Sequence, residues 1–165
     1  MSEKMRTVYL ETTIVSYLTG RPSRDLIIAA RQELTHEWWE NHRNRFKLVV
    51  SPIVLAEVGR GDPEMVAKRT EVLSDLEILP AEPPIELLAA RVAKALNIPA
   101  TKVGDAFHLA YSIHHSIDFL ATWNCAHFEN PDTRRRLDEF ARTSGAWSPV
   151  ICTPEDLLEW EDANE

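Results

Sequence analysis

Four side chains with carboxylate or amide oxygens stand next to the predicted ends of strands or in the helices that follow them. They are Glu11, Glu57, Asp105 and Asn124. Three carboxylates in one cleft repel one another unless they are protonated or neutralised, and a hard divalent cation is the usual solution. Oxygen ligands favour Mg²⁺ or Mn²⁺ over zinc, which prefers His and Cys. The pattern therefore indicates a divalent-cation site, with a solvated helix-end charge as the alternative for each acid taken alone.

The elements that must position these residues alternate along the chain. Short apolar strands are predicted at residues 7–10, 48–50, 78–79, 119–122 and 150–152. Helices are predicted at residues 22–43, 52–58, 63–76, 84–96, 102–115 and 131–142, with a short capped helix after Thr153. Right-handed crossovers place such helices on both faces of a parallel sheet, so we predict a three-layer α/β/α sandwich with four to five strands. Ligands bind at the carboxyl ends of these strands, where the acids lie.

Four sequence blocks carry a resemblance to a known family. They are VYLETT at residues 8–13, SPIVLAEV at 51–58, DAFHLA at 105–110 and LATWN at 120–124. In this order they resemble the four acidic blocks of the PIN-domain family, and the resemblance covers about residues 7–153. A stand-alone domain of this size is similar to VapC-type toxins of bacterial and archaeal toxin-antitoxin pairs, which are metal-dependent ribonucleases.

The resemblance implies that Glu11, Glu57, Asp105 and Asn124 occupy the catalytic positions, with Glu11, Asp105 and Glu57 as metal ligands. The hydroxyls of Thr12, Thr13 and Thr122 are candidates for supporting contacts, with simple turn and cap bonding as the alternative. Two positions depart from the family pattern, which usually has Asp where this chain has Glu11 and Asn124. Glutamate can still bind a metal, whereas asparagine keeps a carbonyl oxygen but loses the charge.

The resemblance predicts a metal-dependent endoribonuclease that hydrolyses RNA phosphodiesters by metal-activated water, as the toxin component of a type II toxin-antitoxin system. It implies Mg²⁺ or Mn²⁺ as cofactor, RNA as substrate, a small antitoxin protein as partner, and a homodimer. The competing interpretation rests on the altered acids: a catalytically degenerate PIN-like module that binds RNA or a protein partner without cleavage.

Two groups of basic residues are candidates for contacts with phosphates. They are residues 134–136, all arginine, and the set Arg21, Arg24, Arg43, Arg45 and Lys47. The alternative for both is a solvated face, which is what a charge run on a surface helix usually is. His108 follows Asp105 by three residues on one helix face, but its apolar neighbours favour a half-buried packing histidine over a ligand.

The cysteine and tryptophan side chains are expected to have mainly structural rather than catalytic roles. Cys125 and Cys152 are expected to be free thiols, and with His127 they give no structural-zinc spacing. Trp38, Trp39 and Trp160 are candidate anchors for a partner, whereas Trp123 and Trp147 are expected to pack in the core or at strand ends.

Length and charge exclude several classes of protein. The chain has 165 residues, so we expect one domain over 1–165 with flexible ends at 1–6 and 161–165. The net charge is −8, but six of the 26 acidic residues lie in 155–165, and the nearly neutral remainder excludes a generic polycation. The longest uncharged stretch has 12 residues, whereas a membrane span needs about 20, and acidic and basic residues interrupt any signal-peptide segment. We therefore predict a cytoplasmic protein.

Overall fold

The computed structural model describes residues 4–161, and within them the chain forms one parallel sheet flanked by helices. The strands are β1 (Thr7–Leu10), β2 (Lys47–Val50), β3 (Glu77–Ile78), β4 (Phe119–Ala121) and β5 (Val150–Cys152). Their order in the sheet is β3-β2-β1-β4-β5, and every neighbouring pair is parallel. The chain moves from β1 towards β3 and then crosses back to β4. The order therefore reverses beside β1, which is where ligands bind in such sheets.

The helices lie on both faces of this sheet. They are α1 (Thr12–Thr19), α2 (Leu26–Asn41), α3 (Pro52–Val58), α4 (Pro63–Leu73), α5 (Pro84–Ala95), α6 (Val103–His114), α7 (Pro131–Ser144) and α8 (Pro154–Glu159), with 3₁₀ turns at Arg43–Arg45 and Ala100–Lys102. Successive residues of a strand point to opposite faces, and Val8, Tyr9 and Leu10 of β1 are all fully buried. Helices must therefore cover both faces of the central strand, which confirms the three-layer α/β/α prediction.

Side-chain caps explain several helix boundaries. Thr153 and Asp156 form the predicted capping box at the start of α8. Asp25 accepts hydrogen bonds from the backbone N–H groups of Ile27 and Ile28, so α2 begins at Leu26 rather than at residue 22 as predicted. Helix α1 was not predicted from the sequence, because its β-branched residues resemble a strand. It begins because the side chain of Glu11 caps its first turn.

One tryptophan prediction was wrong. Trp38 is fully buried and packs against Phe46, so it offers no surface to a partner. Trp147 is 45% exposed, and its indole N–H donates to the carbonyl of Ile117 just before β4, so it packs at the strand ends, one of its two predicted positions. Both cysteines are free thiols, as expected.

The predicted flexible ends fall largely outside the described residues, which exclude 1–3 and 162–165. Lys4, Met5 and Arg6 precede β1 without regular secondary structure, and Glu161 follows α8 in the same way. Between residues 4 and 161, no helix has the length and apolar character needed to cross a membrane.

Candidate metal centre

Glu11 lies directly after β1, and its carboxylate is held at the centre of the sheet edge. Its backbone N–H donates to the carbonyl of Ala121, which extends the pairing between β1 and β4. The side chain is only 4% exposed. Its Oε2 accepts hydrogen bonds from the backbone N–H of Thr13 at 3.1 Å and from the hydroxyls of Thr13 at 2.5 Å and Thr122 at 2.8 Å. Within residues 4–161, Oε1 has no hydrogen-bond donor and is therefore available to a ligand.

Glu57 projects from α3 and is bound by a histidine of α6. Its Oε1 lies 3.0 Å from Nε2 of His108. A carboxylate accepts hydrogen bonds, so Nε2 carries the proton. Burial opposes ionisation of Glu57, but the hydrogen bond and electrostatic attraction of His108 outweigh it, so the pKa of Glu57 lies below its ordinary value. Glu57 is therefore a carboxylate at neutral pH.

His108 is buried, at 1% exposure, rather than half-buried as predicted. Its Nδ1 lies 2.6 Å from the hydroxyl of Tyr9, and that hydroxyl lies 2.7 Å from Oγ of Ser51. Burial raises the pKa of Tyr9 well above its ordinary value, so its hydroxyl keeps its proton. The four side chains Ser51, Tyr9, His108 and Glu57 thus form one hydrogen-bonded chain from the core to the sheet edge.

Asp105 lies in the first turn of α6, beside a second histidine. Nδ1 of His127 is 2.9 Å from Oδ2 of Asp105, but the geometry is not that of a directed hydrogen bond, and Oδ2 is buried without one. Burial raises the pKa of Asp105, and the nearby charge of Glu57 acts in the same direction, whereas His127 and His108 lower it. The ionised form of Asp105 is therefore under-compensated in this structure.

Asn124 links the contacts of Glu11 to those of Asp105, through its backbone and its side chain; we call the residues joined in this way the network. Its backbone N–H donates to Oγ1 of Thr122, the same hydroxyl that donates to Glu11. Its side-chain oxygen accepts the backbone N–H of His127 at 3.1 Å and so fixes the turn that carries the His127 ring towards Asp105. A carbonyl oxygen has a second lone pair, so this bond leaves it able to accept another contact.

The structure brings Glu11, Glu57 and His108 into a group whose potential ligand atoms all lie within 4.8 Å of one another. Asp105 is outside that tight group, although Glu57 is close enough to raise its pKa. Among the described residues, Oδ2 of Asp105 is a buried acceptor without a hydrogen bond, and the hydroxyl of Thr12 is buried beside Glu57 without a well-formed one. The unpaired oxygen of Asp105 and the close approach of Glu11 and Glu57 fit a divalent cation with oxygen ligands.

A family comparison gives these residues a context. The family model for the PIN domain matches residues 8–124, which include Glu11, Glu57, Asp105 and Asn124 but not His127. The chain belongs to the PIN domain family. No curated protein matches it in sequence.

Two solved structures share the PIN fold of this chain. One is VapBC2 from Rickettsia felis bound to a DNA fragment from its promoter, with a TM-score of 0.59, 16% identity, and coverage of 89% of this chain and 98% of the other. The other is FitAcB from Neisseria gonorrhoeae, with a TM-score of 0.52, 16% identity, and coverage of 89% and 97%. At this identity the likeness concerns the fold.

The sequence interpretation of this PIN domain missed the roles of Tyr9 and His127. Position 9 was assigned only to a strand, and no local pattern links it to His108, which lies 99 residues later in the chain. His127 was considered only as a zinc ligand with Cys125 and Cys152, and those three side chains do not converge within the described residues. Asparagine favours turns because its side chain bonds to backbone groups a few residues away, so Asn124 was the available signal for this turn.

Several of the basic residues named from the sequence are paired with acids outside the candidate centre. Lys47 begins β2 at the opposite edge of the sheet and pairs with Glu77 at 2.7 Å. The arginines of α7 pair with acids of their own neighbourhood: Arg134 with Glu129, Arg135 with Asp132 and Glu139, and Arg136 with Asp132. Two other cations, Arg60 and Lys102, lie close enough to lower the pKa values of Glu57 and Asp105 respectively.

Proposed function

We propose that this PIN domain is a metal-dependent endoribonuclease and the toxin component of a type II toxin-antitoxin system. The observation that carries the proposal is the carboxylate pair of buried Glu11 and half-buried Glu57, whose potential ligand atoms lie within 4.8 Å at the carboxyl edge of a PIN sheet. Membership of a family whose members are generally nucleases supports the hydrolase class.

In this proposal Glu11, Glu57 and Asp105 hold Mg²⁺ or Mn²⁺, and Asn124 contributes its carbonyl oxygen or a water-mediated contact. The bound ion lowers the pKa of a water molecule and stabilises negative charge on the phosphate. Glu11 is oriented by the hydroxyls of Thr13 and Thr122. Glu57 remains ionised because His108 donates to it, and it either binds the ion or orients the attacking water.

The substrate in this proposal is RNA, bound by its phosphates. Arg60 and Lys102 are the cations that interact electrostatically with Glu57 and Asp105. Both are exposed, so they can contact phosphates that approach the sheet edge. The arginines of α7 are less suited to this role because acids nearby already pair with them.

The decisive experiment is cleavage of a mixed RNA pool by the purified chain in Mn²⁺, in Mg²⁺ and in EDTA. We expect cleavage that EDTA abolishes and that Asp105→Asn removes. Asp75→Asn is the matched control, since it makes the same change at an exposed acid outside the network. Equal cleavage by the wild type and Asp105→Asn, after contaminating nuclease has been removed, would contradict the catalytic assignment.

One observation favours a second candidate function. The ring of His127 lies beside Asp105 and the oxygen of Asn124 is engaged in a turn, so protein groups already approach part of the donor set. A metal-free module that binds RNA or a protein without cleavage would have this arrangement. RNA binding that is unaffected by EDTA, with no cleavage in either metal, would select this alternative.

The partners in the lead proposal are a small antitoxin and a second copy of the chain. The two structural neighbours are a VapBC2 and a FitAcB structure, and the start of α2 exposes Leu26 by 86% and Ile27 by 66%. We expect the product of an adjacent small gene to co-purify with the chain, and the double variant Leu26→Ser, Ile27→Ser to weaken that association. Sedimentation of the chain alone tests the homodimer.

A further inference from the structure

A second cluster of metal-ligating side chains lies at the other end of α6. Potential ligand atoms of Glu82, His114 and His115 all lie within 4.8 Å of one another. His114 is the last residue of α6, nine residues after Asp105. At a rise of about 1.5 Å per residue, this separation corresponds to about 14 Å along the helix. The cluster is therefore distinct from the carboxylate centre.

The ring of His115 is held in place by two contacts. Its Nε2 lies 3.0 Å from the backbone carbonyl of Pro80. A carbonyl can only accept, so Nε2 carries the proton and Nδ1 of the neutral ring has a free lone pair. Metal-binding histidines commonly donate their other ring N–H to a carbonyl in this way. The ring of Tyr111 stacks on His115 with an interplanar angle of 13°, which restricts the orientation of the imidazole.

The second histidine donates a hydrogen bond to the acid. Nε2 of His114 lies 2.5 Å from Oε2 of Glu82. This hydrogen bond holds the pKa of Glu82 below its ordinary value, so the acid is ionised at neutral pH. A metal ligand nitrogen must be unprotonated. An ion that binds between these two side chains would displace the proton from Nε2, and a neutral imidazole would then carry its proton on Nδ1.

The fold constrains both sides of this cluster. Glu82 lies in a connection that contains Pro80, Pro83 and Pro84, which restrict the backbone. The histidines lie at the carboxyl end of α6, where the helix dipole favours a cation. Two imidazole nitrogens and one carboxylate suit Zn²⁺, Ni²⁺ or Cu²⁺ rather than Mg²⁺.

We propose that Glu82, His114 and His115 form a surface site for a late first-row divalent ion such as Zn²⁺, separate from the carboxylate centre. The ion joins the connection before α5 to the end of α6, two helices that pack against each other. Solvent or another molecule completes its coordination sphere.

The test is calorimetric titration of the untagged full chain with Zn²⁺ in the presence of saturating Mg²⁺, because a histidine tag would itself bind zinc. Loss of a supporting partner of a metal ligand costs about 10–100-fold in affinity. We therefore expect the double variant His114→Ala, His115→Ala to lose about tenfold or more. His42→Ala is the matched control, since His42 is also paired with a glutamate, Glu37, at 3.7 Å.

Zinc affinity that is equal in the wild type and the folded double variant would overturn the proposal. If the double variant fails to fold, Glu82→Gln gives a second test, because it keeps the shape of the exposed side chain and removes its charge. Retention of the untagged wild type, but not of Glu82→Gln, on a nickel-chelate column supports the site. Equal retention of the two proteins contradicts it.

Discussion

At the residue scale, the two acids Glu57 and Asp105 belong to one network but have opposite tendencies to ionise. His108 donates to Glu57 and lowers its pKa below the ordinary value. Burial raises the pKa of Asp105. The contact with His127 lowers it, but this contact is not a well-directed hydrogen bond and does not offset the burial. The environment therefore stabilises one charge and penalises the other. A cation that contacts both would remove the penalty on Asp105.

The buried hydroxyl of Tyr9 supports Glu57 through His108. Tyr9→Phe leaves Nδ1 of His108 and Oγ of Ser51 without their common partner. A buried polar group left unpaired costs about 1–3 kcal/mol. We expect the free energy of unfolding, measured in urea, to fall by about that amount, and the affinity for Mn²⁺ to fall because Glu57 is less firmly oriented.

Tyr17→Phe is the control for this prediction, since Tyr17 is half-buried beside Trp123 and its hydroxyl makes no hydrogen bond within residues 4–161. A loss of stability with unchanged Mn²⁺ affinity would mean that Tyr9 stabilises the core but does not position the site.

At Asn124, substitution by aspartate adds one negative charge to the candidate metal ligands with little change of shape. A carboxylate at this position can still accept the N–H of His127. We expect Asn124→Asp to tighten divalent binding and to raise activity at limiting metal, because it restores the fourth charge. Calorimetric titration with Mn²⁺ and Mg²⁺ measures this, with Asn44→Asp as the control at an exposed position. Unchanged or weaker affinity would show that position 124 does not face the metal.

At the element scale, the sequence was most informative where an element has its own chemical signal. Strands β1 and β5 have the predicted bounds, and Thr153 caps α8 as its sequence suggests. The contacts of His127 depend on tertiary packing between a loop and α6, which local pattern does not contain. Helix α1 was missed because its β-branched residues resemble a strand, although the side chain of Glu11 caps it. The four site positions could be named from their blocks, but their distances could not.

Gly104 shows how tightly α6 approaches the neighbouring helix. A Cβ at this position would lie 3.0 Å from Oε1 of Glu57. Alanine is more favourable than glycine in a helix by about 1 kcal/mol. Helix propensity therefore favours alanine at position 104, whereas the close approach to Glu57 disfavours it. We expect Gly104→Ala to unfold at the same or a higher urea concentration while its Mn²⁺ affinity falls, because Glu57 is displaced. Unchanged affinity would show that Glu57 adapts without loss of the site.

At the scale of the whole molecule, the candidate centre lies away from a large groove. A groove of about 1140 Å³ opens at the amino ends of the strands, lined by residues that include Arg6, Lys47, Asp118 and Trp147. The carboxylates lie at the opposite edge of the sheet: Glu11 directly after β1, Glu57 in the last turn of α3 and Asp105 in the first turn of α6. The candidate centre and this groove are therefore at opposite ends of the strands.

The stability of the whole domain should show that the charge on Asp105 destabilises the metal-free fold. Because burial raises the pKa of Asp105 in the folded state, its ionised form opposes folding, and this penalty appears as the pH rises through the pKa of the unfolded chain and persists above the folded value. Asp105→Asn removes the penalty, so we expect it to raise the melting temperature of the metal-free protein at pH 7 but not at pH 3.

Metal should reverse this order. A ligand that binds only the folded state at 100 times its Kd stabilises it by about 2.7 kcal/mol. We therefore expect Mn²⁺ to raise the melting temperature of the wild type above that of Asp105→Asn, whose site has lost a ligand charge. Melting curves of both proteins with and without Mn²⁺ measure the reversal, and Asp75→Asn should follow the wild type throughout. If Asp105→Asn melts below the wild type without metal, the His127 contact outweighs the burial penalty. If Mn²⁺ raises the melting temperatures of the two proteins equally, Asp105 does not belong to the metal centre.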